Sequence, residues 1–239
     1  MAAEDRLIAH DPSVRLKASG GSAAGGHRAI EQWEQDIIEE VSKTHRVGKV
    51  AMLMLWGGLR PGEAIAFDTT ADVVKDQLSI TKSIEYQANK SVIKPPKTEA
   101  GIRLAPIYPK LREYLGKGPA LTMTTAPDKP VTQSAFNRAW DSFIYRCEVK
   151  LNGCYRRWKP EGYEWKTFTV RPHDLRVTWF TMLYDTGVDE KVAALWGGHA
   201  DINVTRKIYQ KIRLERKQKE EALSIKRLQK CKVYKRKKA

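Results

Sequence analysis

The chain has 239 residues, 41% hydrophobic and 30% charged, with seven Trp, a balance that suits one large domain or two small ones and excludes a disordered or collagen-like chain. Its longest apolar run, residues 50–59, is too short to cross a bilayer, and Glu4, Asp5 and Arg6 stand where a signal peptide needs an apolar stretch, so a soluble intracellular protein is expected. Lys and Arg number 43 against 28 Asp and Glu, a formal charge of +15, which points to a polyanionic partner.

The excess charge sits at one end. Residues 211–239 hold thirteen Lys/Arg and three Glu, so the remainder is only mildly basic. Such a tail suits a nucleic-acid arm, a membrane-surface patch or a solvated helix face, and charge alone does not choose among them. Cys147, Cys154 and Cys231 form no Cys-x-x-Cys pair, which disfavours both a disulfide scaffold and a zinc site. No metal and no cofactor is expected.

Residues 1–26 read as a linker-like N-terminal segment: Gly20, Gly21, Gly25 and Gly26 lie among Ser and Ala, and no Lys-Ser/Thr follows that would make a phosphate-binding loop. Ile30, Trp33, Ile37, Ile38 and Val41 recur at helical spacing and predict an amphipathic helix. Residues 47–59 predict a second, more buried helix, broken at Pro61 and Gly62, with Glu63 in the first turn of whatever opens there. Residues 77–86 alternate apolar and polar, and short strand-like runs follow at 90–93 and 102–105 around Pro95, Pro96 and the turn at 97–101. These predict a small three-stranded antiparallel sheet with Lys97 near the tip of its second hairpin. Helices are predicted over 111–115, 133–149, 173–185, 189–196 and 203 to about 228, while the aromatic and basic connector 151–168 takes no assignment. The fold class is α+β, mostly helical with one small sheet.

Four polar clusters interrupt these core patterns: Gly58-Leu-Arg60-Pro-Gly-Glu63, Lys97-Thr-x-x-Gly-x-Arg103, His173-Asp-Leu-Arg176, and Leu195-Trp-Gly-Gly-His199 with Tyr209 ten residues later. Singly, each has an ordinary structural reading: a helix-end charge, a hairpin lysine, a helix N-terminal histidine, a half-buried aromatic. Their order and combination carry the signal. Over roughly residues 28–223 the set resembles the tyrosine recombinase (phage integrase) family, with wording around Gly198-His199 similar to integrases of conjugative transposons. The resemblance implies a mostly helical catalytic domain over 27–223 followed by a basic tail over 224–239.

It also implies site-specific cleavage and rejoining of DNA through a 3′-phosphotyrosyl intermediate, for integration and excision of a mobile element. Arg60 and Arg176 would bind the non-bridging phosphate oxygens, a task suited to planar, permanently charged guanidinium groups. Tyr209 would be the nucleophile, His173 its base, Lys97 the acid that protonates the leaving 5′-oxygen, and His199 a hydrogen-bond partner of the phosphate, with Glu63 orienting Arg60. Lys94, two prolines earlier, competes for the Lys97 position. The phosphotyrosyl link conserves bond energy, so neither ATP nor metal is needed. The partners implied are double-stranded DNA and further copies of the chain, a tetramer on DNA with the C-terminal segment docking in trans, along with accessory DNA-bending proteins. The expected location is cytoplasmic, on the nucleoid when bound.

Relatives carry a DNA-binding domain ahead of the catalytic one, and Asp11-Pro12-Ser13 is similar to the Asn-Pro linker between the two. An excised catalytic fragment is therefore favoured over a natural minimal recombinase. Two other functions remain open at this point: a type IB topoisomerase, which shares the same residue chemistry, and a DNA-binding module with decayed catalysis.

Overall fold

The most thoroughly buried element is helix α2, Gly48–Gly57, in which Val50 to Leu55 are all 0% exposed. In the computed structural model, which describes residues 26–230, α2 is the axis on which the other helices pack: α1 (Gln32–Ser42), α3 (Pro61–Ala66), α5 (Pro109–Leu115) and α7 (Pro172–Asp185) all lie against it. Apart from Lys49, whose ammonium bonds Thr69 and the Lys117 and Gly118 carbonyls, α2 is apolar all round, and such a helix must be enclosed in this way. The linker reading of residues 1–25 and the end of the basic tail, 231–239, lie outside the described residues.

Between α3 and α5 come the one-turn helix α4 (Thr69–Asp72) and five strands: β1 (Val73–Val74), β2 (Gln77–Ile80), β3 (Ser83–Gln87), β4 (Lys90–Lys94) and β5 (Arg103–Pro106). The mostly helical α+β class stands, but the strands pair differently from the expectation. The three-stranded antiparallel sheet has the order β1-β2-β5, with Leu78 opposite Ala105, while β3 and β4 form a separate hairpin. The stretch 77–86 is thus two strands, interrupted at Thr81 and Lys82, where Lys82 reaches Asp72 at 2.9 Å.

Two tight turns explain the pairing. Lys75-Asp76 and Ala88-Asn89 each have both central residues at positive φ, the two-residue turn whose twist matches that of antiparallel strands. Pro95 and Pro96 then offer no N–H, so β4 cannot continue. No hairpin joins 90–93 to 102–105; Lys97 instead lies in the crossing between the two sheets, ahead of a 3-10 turn at Glu99–Gly101.

The second half is helical: α6 (Gln133–Asn152), α7, α8 (Glu190–Gly197) and α9 (Ile202–Lys230). α9 packs on α7 and α8 of its own chain through Tyr209 and Ile212, which share a small core with Trp179, Phe180, Leu183 and Ala193. Farther along α9, Leu214, Leu223, Ile225 and Leu228 are exposed. No helix among the described residues is long and apolar enough to cross a membrane.

Candidate active site

Helices α2 and α8 end alike, at Gly58 and Gly198, both left-handed with φ of 67° and 66°. A Cβ at Gly58 would lie 2.4 Å from Trp179, and one at Gly198 2.8 Å from Nη1 of Arg103, so both the conformation and the space call for glycine. The carbonyls at these termini carry the negative ends of the helix dipoles, and two arginines take them. Arg176, 2% exposed, donates from Nη1 to the Gly58 carbonyl and from Nη2 to that of Gly197 at 2.6 Å. Arg60, the residue just before α3, donates from Nη2 to Gly198 O at 2.8 Å and from Nη1 to Glu63 Oε1 at 2.8 Å. Its side chain keeps 38% exposure and lines a cleft.

Glu63 is enclosed by donors. It accepts from the Arg60 N–H at 2.8 Å, and Arg103 grips both of its oxygens, at 3.1 and 2.8 Å. Burial pushes this carboxyl's pKa up, but the Arg103 hydrogen bonds and charge, the Arg60 N–H and the Arg176 cation outweigh that and hold it at about 2. Three guanidinium groups thus surround one carboxylate, leaving the region cationic and suited to an oxyanion.

The two histidines are neutral. His199 stacks on Phe180, with ring centroids 4.9 Å apart and planes at 14°. Its Nε2 faces Arg176 Nη2 at 3.1 Å; a guanidinium has no acceptor, so Nε2 accepts and Nδ1–H donates to Thr205 Oγ1 at 2.7 Å. Burial and the Arg176 cation lower its pKa to about 3. His173, in the first turn of α7, packs on His27 at 4.5 Å, and His27 in turn bonds Asp174 at 2.8 Å. Burial, then His27 and Arg176, lower the His173 pKa to about 4.

One cleft is lined by Arg60, Thr98, His173, Arg176, Gly198 and His199. The groove beside it shares Arg60 and Thr98 and carries Lys94 and Lys97 on its wall. Lys97 is exposed there, whereas Lys94 is paired with Glu85 at 2.7 Å. Five of the expected residues therefore meet at one place, Glu63 among them as the support of Arg60, and Lys97 stands at the edge. Tyr209 lies outside the cleft. It is 3% exposed, its hydroxyl donates to Val188 O at 3.4 Å and its ring meets Tyr184 edge-on at 5.1 Å. Burial, together with Glu190 and Asp189, pushes its pKa up to about 12.

Sequence reasoning assigned no role to Arg103 or Thr205, both buried at the site. The available signal for Arg103 was its register: it occupies the inward face of β5, beside outward Leu104 and inward Ala105, and a charged residue on a buried face needs a partner. Among the described residues no group of three or more His, Cys, Asp or Glu is arranged to hold a metal ion.

A tyrosine recombinase XerC-like protein of Caldanaerobacter subterraneus subsp. tengcongensis is 25% identical to the chain over 195 residues, which is 72% of this chain and 47% of the relative. The chain thus spans about half the length of that relative. Among solved structures, an integrase fragment of transposon Tn1549 in complex with transposon right-end DNA has a TM-score of 0.62 at 17% identity, covering 87% of this chain and 69% of the other. A lambda integrase dimer bound to a COC′ core site has a TM-score of 0.52 at 14% identity (87% and 67% covered), and XerA recombinase 0.51 at 15% (82% and 62%). These likenesses show the fold. Residues 31–216 match the model of the Phage integrase family, and the chain belongs to that family.

Proposed function

We propose that the chain carries the catalytic part of a site-specific DNA recombinase, which cleaves and rejoins duplex DNA through a 3′-phosphotyrosyl intermediate and serves integration and excision of a mobile element. The observation that carries this reading is the meeting of Arg60, Arg176, His173 and His199 in one cleft, and the segment from Gly198-His199 to Tyr209 resembles the family's nucleophile segment. In-line attack on a phosphodiester spreads negative charge over the non-bridging oxygens, and Arg60, fixed by Glu63 and Gly198 on the lining of the cleft, would meet that charge. His173, neutral at pH 7, can accept the tyrosine proton. Lys97, exposed on the wall of the neighbouring groove, would supply the proton to the leaving 5′-oxygen. No cofactor enters these steps.

Tyr209 must leave its contact with Val188 to act. We assign that step to a movement of α9 on assembly, in which the exposed face formed by Leu214, Ile225 and Leu228 docks on a neighbouring copy within a homo-oligomer, a tetramer on DNA; Leu223, expected on the same stripe, lies on the opposite side of α9, beside Ile212 and Thr178 of its own chain. The test is covalent trapping on nicked duplex DNA of the native insertion site. The parent protein should form an adduct that survives denaturing electrophoresis, and Tyr209→Phe should bind but form none. An adduct mapped to Tyr184 or Tyr163 would overturn the assignment, and relaxation of supercoils without site preference would favour the topoisomerase reading.

A further inference from the structure

The connector between α6 and α7 takes no part in the cleft, yet it is built with care. Residues 146–166 hold six Lys/Arg and three Glu. The chain leaves α6 at Gly153, makes a 3-10 turn at Arg156–Trp158 and returns to the end of α6. There Asn152 accepts from the Lys166 N–H at 3.0 Å and from the Tyr163 hydroxyl at 3.1 Å, and donates to Lys166 O at 2.8 Å. Glu148 accepts from Trp165 Nε1 and from the Phe168 N–H, both at 3.1 Å, and Arg146 donates to the Tyr155 hydroxyl at 2.6 Å. The loop is thus fixed by hydrogen bonds to α6, while its own two carboxylates, Glu161 and Glu164, are exposed.

What it holds outward is an aromatic and cationic surface. Trp158 is 69% exposed and leans edge-on against Tyr155 at 5.2 Å. Arg157 and Lys159 flank it, both exposed. Lys159 bonds only a backbone carbonyl, that of Tyr163 at 3.2 Å, and neither is ion-paired among the described residues. An indole left in water beside unneutralised cations is an unspent contact surface. Its charge fits phosphate.

Distance sets a bound. Lys166 is tied to the end of α6, seven residues from His173 in the cleft and seven from Lys159, so the loop lies at most about 50 Å from His173 even if both stretches are fully extended. We propose that residues 155–159 form a second DNA contact, within about fifteen base pairs of the phosphate held in the cleft, with Arg157 and Lys159 on the backbone and Trp158 against the sugar edge. This rests on the DNA-cleaving reading above and adds to it a contact that positions the duplex without chemistry.

The test uses the full chain with two duplexes of the insertion site, one extending at least about fifteen base pairs to either side of the scissile phosphate and one trimmed to about three. On the long duplex, the double variant Arg157→Ala/Lys159→Ala should bind about tenfold more weakly at low salt, with a salt slope flatter by about two. Trp158→Ala should weaken binding about tenfold with the slope unchanged, because it removes apolar contact and no counterions are involved. On the short duplex both should match the parent, and at saturating protein both should form the covalent adduct at the parent rate. Parent-like binding to the long duplex, or an equal loss on both duplexes, would overturn the inference. Normal binding of the first protomer with loss of later ones would also overturn it, assigning Trp158 to a protein contact. A parent that binds and reacts beside variants that match it defeats this inference alone, whereas a parent that binds neither duplex defeats the DNA reading as well.

Discussion

Arg103 and Glu63 meet in a two-point ion pair at 3.1 and 2.8 Å with both side chains 2% exposed, and the same carboxylate takes Nη1 of Arg60. Arg103 also donates to Trp196 O at 2.6 Å and Gly101 O at 2.9 Å. It therefore ties together α3, the crossing that carries Lys97, and the end of α8 whose Gly198 carbonyl holds Arg60.

If Arg103 acts by positioning Arg60, its removal should matter only while Arg60 is present. Arg103→Met should slow cleavage about a hundredfold, yet Arg60→Ala/Arg103→Met should be little slower than Arg60→Ala alone. Because Arg103→Met leaves the buried Glu63 charge with Arg60 as its remaining ion-pair partner, a loss of up to about 3–5 kcal/mol in stability is expected; rates should be compared at a temperature where circular dichroism shows all variants folded. Multiplicative effects in the double variant would reject the positioning role.

The two cleft arginines should respond differently to lysine. A lysine keeps the charge and loses the planar fork, so Arg60→Lys and Arg176→Lys should each slow cleavage by about a hundredfold or more with little change in DNA binding. Arg176 is internal and bonds the Gly58 and Gly197 carbonyls, whereas Arg60 is partly exposed. Thermal melting should therefore fall clearly for Arg176→Lys and little for Arg60→Lys. Cleavage and binding falling in parallel would make both mere phosphate clamps.

Acid should destabilise the protein in two steps. His173 and His199 have folded pKa values of about 4 and 3, below the ordinary 6.5, so from about pH 6.5 downward the unfolded chain takes up protons that the folded chain refuses, and stability falls with pH. Glu63, held at about 2 instead of 4.5, contributes stability that is present above pH 4.5 and lost as pH falls toward 2. The melting temperature should decline between pH 6.5 and 4, and His173→Gln/His199→Gln should flatten that decline while leaving the steeper loss below pH 4.5. A parent curve that is level from pH 7 to 5 would contradict the neutral-histidine assignment.

Periodicity made α1, α2 and the helices of the second half legible, because apolar spacing at 3.6 residues survives without tertiary information. The split of residues 77–86 was not, since alternation reads the same for one long strand as for two short ones. The turns that decide it, Lys75-Asp76 and Ala88-Asn89, lack the glycine that usually announces positive φ. Arg60, Arg176, His173 and His199 were legible as a set, but the support beneath them was not: Arg103 is forty residues from Glu63 and reads in isolation as a surface charge. For Tyr209 the sequence showed a residue type and a spacing. Its burial follows from the apolar side of α9, where Tyr209 and Ile212 lie one turn apart against α7, a packing fact that no motif encodes.

Lys97 is best tested by chemistry instead of by loss. The leaving 5′-alkoxide is a strong base and its departure needs an acid, while a 5′-thiolate, whose conjugate acid ionises near pKa 8.5, does not. Lys97→Ala should therefore cleave DNA with sulfur at the bridging position almost as fast as the parent does, and ordinary DNA far more slowly. Sulfur should not rescue Arg60→Ala to the same degree, because the arginine serves non-bridging oxygens that the substitution leaves unchanged. The ion pair of Lys94 with Glu85 at 2.7 Å leaves Lys97 the freer of the two lysines on the groove wall, so Lys94→Ala should retain most activity on both substrates. Rescue of Lys94→Ala and not of Lys97→Ala would reverse the assignment, and rescue of neither would move the acid role to His173.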